Sequence, residues 1–525
     1  MALAVCEEHR LPRRRTPSQA GEAATEAAPS APSTGSTSPD SSGESAKRTG
    51  QPLDFIFHPR SVAVAGASPP QPGFGGMGSG FVISLKEMGC PAVYPVNPHH
   101  EEIEGLKCYP SLLDIEGPVD HVISSVPARA VPSLIDDCIA KGVKSIHFFT
   151  AGFSETGDEE LAKLEAQVVR QAVDAGLRVL GPNCMGLYVP RSGLSFMPGF
   201  PTESGPVGFI SQSGGNAADM IFNAAPRGIR YSKVVSYGNA ADIDESELLE
   251  YLADDRESEI ICAYIEGVKD GRLFFQAIRR AAAAKPVIVL KGGRTDAGTR
   301  AVHSHTGALA GSMDVFDALL RQVGAVRADS VEEMVDLAVA FRWAGALAGP
   351  GVAVVGGGGG FSVFAADELD EAGLSCPVLP QATQRELSEF TPAAGASVRN
   401  PVDTIAIFDP VKLRDTVRIA GSAENIHAVM FHISFSFGGW RRSARWFNPE
   451  TYREKAAEAL VEARQACGVP VVVVLRPPLN VESMEQAVAF QELCWRADIP
   501  VFPSIPRAAN ALAKLLRWRQ ARQAL

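Results

Sequence analysis

No two of the nine cysteines in this 525-residue chain are separated by only two residues, and they are scattered from Cys6 to Cys494. A disulfide framework or a cysteine-rich zinc site needs closely spaced thiols, so both are disfavoured and a reducing cytosol is expected. Long hydrophobic runs are also missing. The longest, such as residues 469–475 (VPVVVVL), have the length of a core strand and are too short to span a bilayer. These absences predict a cytoplasmic protein that does not enter a membrane.

The chain lacks an excess of positive charge, since its formal net charge is −11. Binding to a phosphate backbone requires a positive surface, so a nucleic-acid partner is not expected. The N-terminus carries arginines but no apolar core of the signal-peptide type, and its glutamates are unusual for a transit peptide. The hydrophobic fraction of 46% and charged fraction of 21% are typical of a globular protein. The length predicts about three domains of roughly 150 residues each.

Residues 1–50 are rich in Ser, Thr, Pro, Ala and Gly and contain few large apolar residues. Such a segment buries too little surface to offset its ordering entropy, so we predict a disordered tail. From residue 61 onward, short β-rich runs alternate with helical stretches, a pattern typical of βαβ units and parallel sheets. We predict three α/β units over residues 51–200, 201–348 and 349–525. The second and third each begin with a strand that runs into a glycine-rich turn, which hints at a repeated unit.

The first glycine-rich loop is VAVAGASPPQPGFGGMGSG, residues 62–80, which leads from a strand into a helix. Glycines such as Gly66 and Gly75 allow a diphosphate to approach the backbone and to lie at the N-terminus of the next helix. The spacing does not match the NAD fingerprint, and Asn97 stands where that fingerprint has an acidic residue. A different nucleotide diphosphate, such as coenzyme A, fits better. A tight turn without a ligand is the alternative.

The second glycine-rich turn is GFISQSGGN, in which a strand is followed by Ser211, Ser213, Gly214 and Gly215 and then by a helix. Amides and hydroxyls at a helix N-terminus can hold a phosphoryl group, although simple helix capping explains the same pattern. A hydrolase elbow would need glycine in place of Ser211, so this class of enzyme is disfavoured.

The segment AVHSHTGALAG, residues 301–311, places two histidines among small residues. His303 and His305 suggest a metal site only if a third ligand is near, and the sequence offers none, so we predict no metal in this chain. Cys184 in GPNCMG has no visible histidine partner. It is interpreted as a buried turn residue rather than a nucleophile.

As an ordered set, the motifs of this chain resemble those of one family, the nucleoside-diphosphate-forming acyl-CoA synthetases. The resemblance is to their CoA-binding subunit, a relative of the α subunit of succinyl-CoA synthetase, and it covers residues 53–518. It implies a Rossmann-like CoA-binding domain followed by two flavodoxin-like ligase domains. The motifs are FHPRSVAVAGAS, YPVNP, LKCYPSL, VPARAVP, LGPNCMG, ISQSGG, SYGNAADIDESELLEYLADD, YIEGVKDGR, HSHTGALAG, RNPVD and VFPSIPRAANALAKL.

The resemblance also implies roles for individual residues. The histidine of the SHTG motif, His305, would carry a phosphoryl group as phosphohistidine. Glu266 in YIEGVKDGR would hold its other ring nitrogen and so fix the tautomer. The helix after Ser213 would direct its positive end at the phosphoryl group. The coenzyme A site would contain Gly66, Ala67, Ser68, Gly75, Asn97, Val126, Pro127 and Thr150.

The implied reaction converts a small carboxylic acid, CoA and ATP to acyl-CoA, ADP and phosphate through an acyl phosphate. No residues remain for an ATP-grasp module, so we predict a partner subunit that binds ATP or ADP with Mg²⁺, and hence a hetero-oligomer. Val302 and His303 depart from the alanines expected before SHTG. The alternative is a non-catalytic regulatory protein that binds CoA or acyl-CoA. The presence of both His305 and Glu266 favours the enzyme.

Overall fold

The computed structural model describes residues 53–69, 77–300, 312–345, 347–392, 394–436 and 448–523. The predicted N-terminal tail, Gly75, His303 and His305 lie outside these ranges. The strands are β1 Val62–Ala65, β2 Val93–Val96, β3 Glu102–Ile103, β4 Leu106–Lys107, β5 His121–Ser124, β6 Ser145–Phe148, β7 Arg178–Leu180, β8 Gly186–Tyr188, β9 Val207–Ser211, β10 Tyr231–Ser236, β11 Ile260–Ile265, β12 Val287–Lys291, β13 Val326–Ala328, β14 Val352–Gly356, β15 Ser397–Val398, β16 Val402–Asp403, β17 Ala428–Ile433, β18 Val471–Leu475 and β19 Val501–Phe502.

Helices alternate with these strands and frequently begin at a residue whose side chain caps the first turn. Asp158, Ser213, Asp244 and Asp270 each accept hydrogen bonds from backbone N–H groups of the helix that follows. No helix in the described part of the chain is long and apolar enough to cross a membrane. The helices are α1 Asp54–Phe57, α2 Met77–Met88, α3 Val131–Lys141, α4 Glu159–Asp174, α5 Gly214–Ala224, α6 Glu245–Asp254, α7 Gly271–Ala284, α8 Met313–Val323, α9 Val331–Trp343, α10 Gly359–Ala372, α11 Gln381–Ser388, α12 Pro410–Gly421, α13 Pro449–Cys467, α14 Val481–Arg496 and α15 Ile505–Gln523, with 3-10 turns at Leu112–Asp114, Ala128–Ala130, Ser154–Thr156, Pro190–Ser192, Ala225–Arg227 and Ile405–Phe408.

The first sheet has the order β2-β1-β5-β6-β7, and all its neighbouring strands are parallel. Its central strands are buried along their whole length, because helices cover both faces. In chain order this is the 2-1-3-4-5 arrangement of doubly wound folds, which bind ligands beyond the carboxyl ends of the strands where the order reverses. That point lies between β1 and β5.

The second and third sheets repeat this strand order and share one further feature. Their orders are β13-β12-β11-β9-β10-β8 and β15-β16-β14-β17-β18-β19. In each, five parallel strands follow the 2-1-3-4-5 arrangement, and a sixth strand pairs antiparallel at one edge, β8 with β10 and β15 with β16. The repeat suggested by the glycine-rich turns is therefore visible in the topology. The strand β8 pairs in the second sheet although it precedes the predicted boundary at residue 200.

Ion pairs join the units that carry the three sheets. The guanidinium of Arg178 on β7 contacts Asp242 at 2.8 Å and Glu247 at 2.7 Å. Asp336 on α9, which is 2% exposed, contacts Arg227 and Arg507 at 2.5 Å each. A carboxylate this deeply buried is tolerated because two guanidiniums compensate its charge. The contacts of Arg178 thus join the first and second units, and the contact of Asp336 with Arg507 joins the second and third.

Glu245, the first residue of α6, is a buried acid whose ionisation opposes folding. It is 1% exposed, and burial raises its pKa from 4.5 to about 7. Because the folded-state pKa is above the unfolded one, its contribution to stability is complete below pH 4.5 and is lost as the pH rises through 7. Glu245→Gln is therefore expected to raise the free energy of unfolding at pH 8 by on the order of 3 kcal/mol, with little gain at pH 4.5.

Urea unfolding of both proteins at the two pH values checks this prediction. Glu250→Gln is the matched control, because Glu250 is on the same helix and exposed, so its free energy of unfolding should match that of the wild type at both pH values. An equal gain for Glu245→Gln at both pH values would contradict the argument from ionisation.

Candidate active site

The turn after β1 fits a ligand that must approach the backbone closely. Gly66 has φ +84°, and a Cβ there would lie 2.9 Å from the carbonyl carbon of Ser125. A Cβ on Gly78 would lie 2.7 Å from the Cα of Ala67. Helix α2 therefore begins in direct contact with the turn, and its positive N-terminal end faces the space beyond β1. This geometry suits a diphosphate group such as that of coenzyme A.

Hydrogen bonds bring most of the other predicted CoA residues to the same edge of the first sheet. The Asn97 side-chain amide donates to the carbonyl oxygen of Ala67 at 2.7 Å. The Thr150 hydroxyl donates to the carbonyl oxygen of Val126 at 2.8 Å. Pro127 follows Val126 directly and caps a 3-10 turn, and Ser68 is partly exposed beside Ala67. These residues line one edge, and their contacts with CoA stay a prediction.

The turn after β9 presents the N-terminus of α5. Ser213 is the N-cap, and its hydroxyl oxygen accepts from the N–H of Asn216. Gly214 packs against Met185, because a Cβ there would lie 2.5 Å from the Met185 Cγ. The Ser211 hydroxyl is buried and donates to the carbonyl oxygen of Ser213 at 2.6 Å. The exposed end of this turn at Gly215 is where backbone amides can meet a phosphoryl group.

Glu266 lies at the end of β11, next to the end of β9 in the sheet. It is 4% exposed, and the Tyr264 hydroxyl donates to its Oε1 at 3.1 Å. Burial and the neighbouring Glu266 carboxylate raise the pKa of Tyr264, so the phenol keeps its proton and remains a donor. The side-chain oxygen of Gln212 accepts from the N–H of Glu266 at 2.6 Å and of Gly267 at 3.0 Å. Gln212 thus joins the turn after β9 to the backbone of Glu266.

The chain leaves the second sheet directly beside Glu266. Lys291, the last residue of β12, is 3% exposed, and its ammonium donates to the carbonyl oxygens of Glu266 at 2.6 Å and Gly292 at 2.5 Å. A Cβ on Gly292 would lie 2.7 Å from the Tyr264 hydroxyl oxygen and 3.2 Å from the Glu266 Cγ. Only glycine leaves room for these side chains at this position.

His305 lies outside the described residues. The described part of the chain ends at residue 300 and resumes at Ser312, the N-cap of α8, which follows His305 by seven residues.

Asn239 connects the first and second units next to the candidate site. Its side-chain amide donates to Glu155 Oε2 at 2.8 Å and to Glu165 Oε2 at 3.3 Å. Glu155 in turn accepts from the N–H groups of Gly152 and Phe153, which follow Thr150. The segment after β10 is thereby fixed to the loop after β6, and the CoA edge and the Glu266 edge are held together.

Cys184 gives no sign of being a second reactive centre. Cys184 is 4% exposed, its thiol donates to the carbonyl oxygen of Phe148 at 3.5 Å, and burial raises its pKa, so it is held as an unreactive thiol. Within the described ranges, no three His, Cys, Asp or Glu residues are grouped so that they could hold a metal ion.

Sequence reasoning missed several residues that the structure places at these edges. Gln212 lies between two predicted serines, but a motif does not show the direction of a side chain, so no role was predicted for it. Lys291 carries a signal in hindsight, since a lysine at the end of an apolar strand and before two glycines is unusual in a core. The other missed residues are Tyr264, Asn239 and Gly292.

Three sheets of one strand order, a turn after β1 that suits a diphosphate and a buried carboxylate at Glu266 agree with the CoA-dependent ligase that the sequence predicts. Family models agree: residues 60–190 match a CoA binding domain, and residues 204–341 match a succinyl-CoA ligase like flavodoxin domain. The chain belongs to the ADP-forming acyl-CoA ligases, because curated relatives of that family match it at 38–41% identity. The family resemblance and the predicted fold class are therefore confirmed. Membership of the family also confirms the prediction of an acid–CoA ligase that uses coenzyme A and ATP or ADP.

The relatives include acetate–CoA ligases from archaea. The alpha subunit of acetate–CoA ligase [ADP-forming] II from Pyrococcus furiosus is 41% identical over 67% of this chain and 76% of its own length. Acetate–CoA ligase [ADP-forming] I from Archaeoglobus fulgidus is 38% identical over 72% of this chain, which spans about half of that longer protein (54%). A solved structure of acetyl-coenzyme A synthetase 1 from Ca. Korarchaeum cryptofilum, in complex with phosphate and ADP, has a TM-score of 0.75 at 32% identity and covers 90% of this chain and 97% of that one.

Proposed function

We propose that this chain forms acyl-CoA from a small carboxylic acid, with His305 as the carrier of the phosphoryl group. A phosphoryl group moves from ATP to a ring nitrogen of His305 and ADP leaves. The acid's carboxylate oxygen then attacks phosphorus, which gives an acyl phosphate and frees the histidine. The CoA sulfur attacks the acyl carbon, the C–O bond to phosphate breaks, and the thiol proton is released.

The observation that carries this proposal is the placement of Glu266. Glu266 is 4% exposed, its N–H donates to Gln212 in the turn that leads into α5, and the chain leaves β12 at Gly292 next to its side chain. A carboxylate that accepts from one ring nitrogen fixes the tautomer and makes the other nitrogen the nucleophile. The α5 N-terminus favours the negative charge of the phosphoryl group. A protein that only binds CoA has no use for this pair.

The transfer from ATP is assigned to a partner subunit of the ATP-grasp type that holds ATP and Mg²⁺. The Pyrococcus relative is itself an alpha subunit, so it works with a second subunit, and the Archaeoglobus relative is a longer single chain. The site in this chain carries the later steps, which need the first and second units. Acetate is the first acid to test, because both relatives are named acetate–CoA ligases.

Labelling of the histidine tests the proposal by two routes. The first uses labelled ATP and a co-expressed ATP-grasp subunit. The second uses labelled phosphate and acetyl-CoA, since the reverse reaction forms phosphohistidine without ATP. Both should give acid-labile, alkali-stable label that His305→Ala abolishes, whereas His303→Ala, the control two residues away, should keep it. Tight CoA binding with no label by either route would instead favour the regulatory alternative.

A further inference from the structure

A buried ammonium at the edge of the second sheet has no role in the chemistry described so far. Lys291 is 3% exposed, and burial lowers the pKa of its side chain. An isolated charge in such a place is costly, so a lysine there needs compensating partners. Its two hydrogen-bond acceptors are the carbonyl oxygens of Glu266 and Gly292.

These two carbonyls belong to the two residues whose relative position matters for the proposed phosphoryl transfer. Glu266 directly follows β11 and provides the carboxylate, while Gly292 directly follows β12 and begins the segment that leads to His305. The N–H of Gly292 also donates to the carbonyl oxygen of Ile265 at 2.8 Å. One ammonium therefore ties the base of the histidine segment to the backbone of the glutamate.

The charge of Lys291 matters as well as its hydrogen bonds. The Glu266 carboxylate is the charged group that acts on the Lys291 ammonium, and it raises the pKa that burial lowers. A phosphohistidine brought beside Glu266 adds negative charge close to a buried carboxylate, and Coulomb repulsion is strong where water is excluded. A lysine at this point offsets part of that repulsion.

We propose that Lys291 is a positioning residue for phosphoryl transfer, which fixes Glu266 relative to the base of the His305 segment and offsets the negative charge gathered there. The proposal rests on the proposed phosphohistidine function. Lys291→Met is expected to slow single-turnover labelling of His305 from acetyl-CoA and labelled phosphate about 10-fold or more, as loss of a supporting partner does at other polar sites. The KM for CoA is expected to stay unchanged, because the CoA edge is on the first sheet.

Lys285→Met is the matched control. Lys285 is the C-cap of α7, two residues before β12, is partly buried, and its ammonium donates to the carbonyl oxygens of Leu252 and Asp255. It should keep the wild-type labelling rate, which separates a local role of Lys291 from a general loss of stability. If Lys291→Met does not fold, Lys291→Gln takes its place and is expected to show the same loss, because its amide carries no charge.

A double-mutant cycle with Glu266→Gln decides whether Lys291 acts through the glutamate. The combined variant is expected to label no more slowly than Glu266→Gln alone, since effects of residues that act as a unit are not additive. Additive losses, or wild-type labelling by Lys291→Met, would overturn the inference while leaving the phosphohistidine function intact. Absence of label in the wild type would remove the proposed function and this inference with it.

Discussion

Glu266→Gln is expected to slow the formation of phosphohistidine at His305 by about 100-fold. The variant keeps the shape of the side chain and its contact with Tyr264, but it removes the negative charge that orients the imidazole and makes its free nitrogen nucleophilic. Single-turnover labelling with acetyl-CoA and labelled phosphate measures the rate directly.

The KM for CoA should change little in Glu266→Gln, because the substitution does not touch the CoA edge. Glu250→Gln, an exposed glutamate on α6, is the control and should label at the wild-type rate. Unchanged labelling in Glu266→Gln would mean that this carboxylate does not act on the histidine.

Gly78→Ala is expected to weaken CoA binding about 10-fold or more. The added Cβ would lie 2.7 Å from the Cα of Ala67 and 2.8 Å from the carbonyl oxygen of Gly66, so α2 has to move away from the turn after β1. Overpacking of this kind typically costs 1–3 kcal/mol, roughly 10-fold in affinity if it falls on the bound state. Calorimetric titration with CoA measures the effect.

Gly80→Ala is a closely matched control, because it adds the same methyl group two residues further along the same helix. A Cβ at Gly80 meets no atom within 4 Å. Both substitutions remove a glycine from a helix and so share the same gain in helix propensity. A lower affinity in Gly78→Ala alone therefore reports the contact with the turn, whereas equal affinities would place the CoA diphosphate elsewhere.

The α/β class was predictable because each strand of a doubly wound sheet is buried on both faces and so appears as a continuous apolar run. The two glycine-rich turns were visible for a similar local reason. A strand that turns sharply into a helix, as at Gly66, needs a residue without a Cβ. The glycine that meets this need is visible in the sequence at that position. The roles of Glu266 and His305 came from the resemblance to a family and not from any periodicity.

Only the tertiary structure decided the contacts between residues that are distant in the chain. Gln212 and Glu266 are 54 residues apart, and the carbonyl that Lys291 binds is 25 residues before it. Such pairs meet because parallel strands bring their carboxyl ends to one edge, and the order of strands is set by packing across the whole sheet. By itself the sequence determined the α/β class and the positions of the two glycine-rich turns. The fold decided which of them touch, since strand order and side-chain direction depend on packing that no local motif contains.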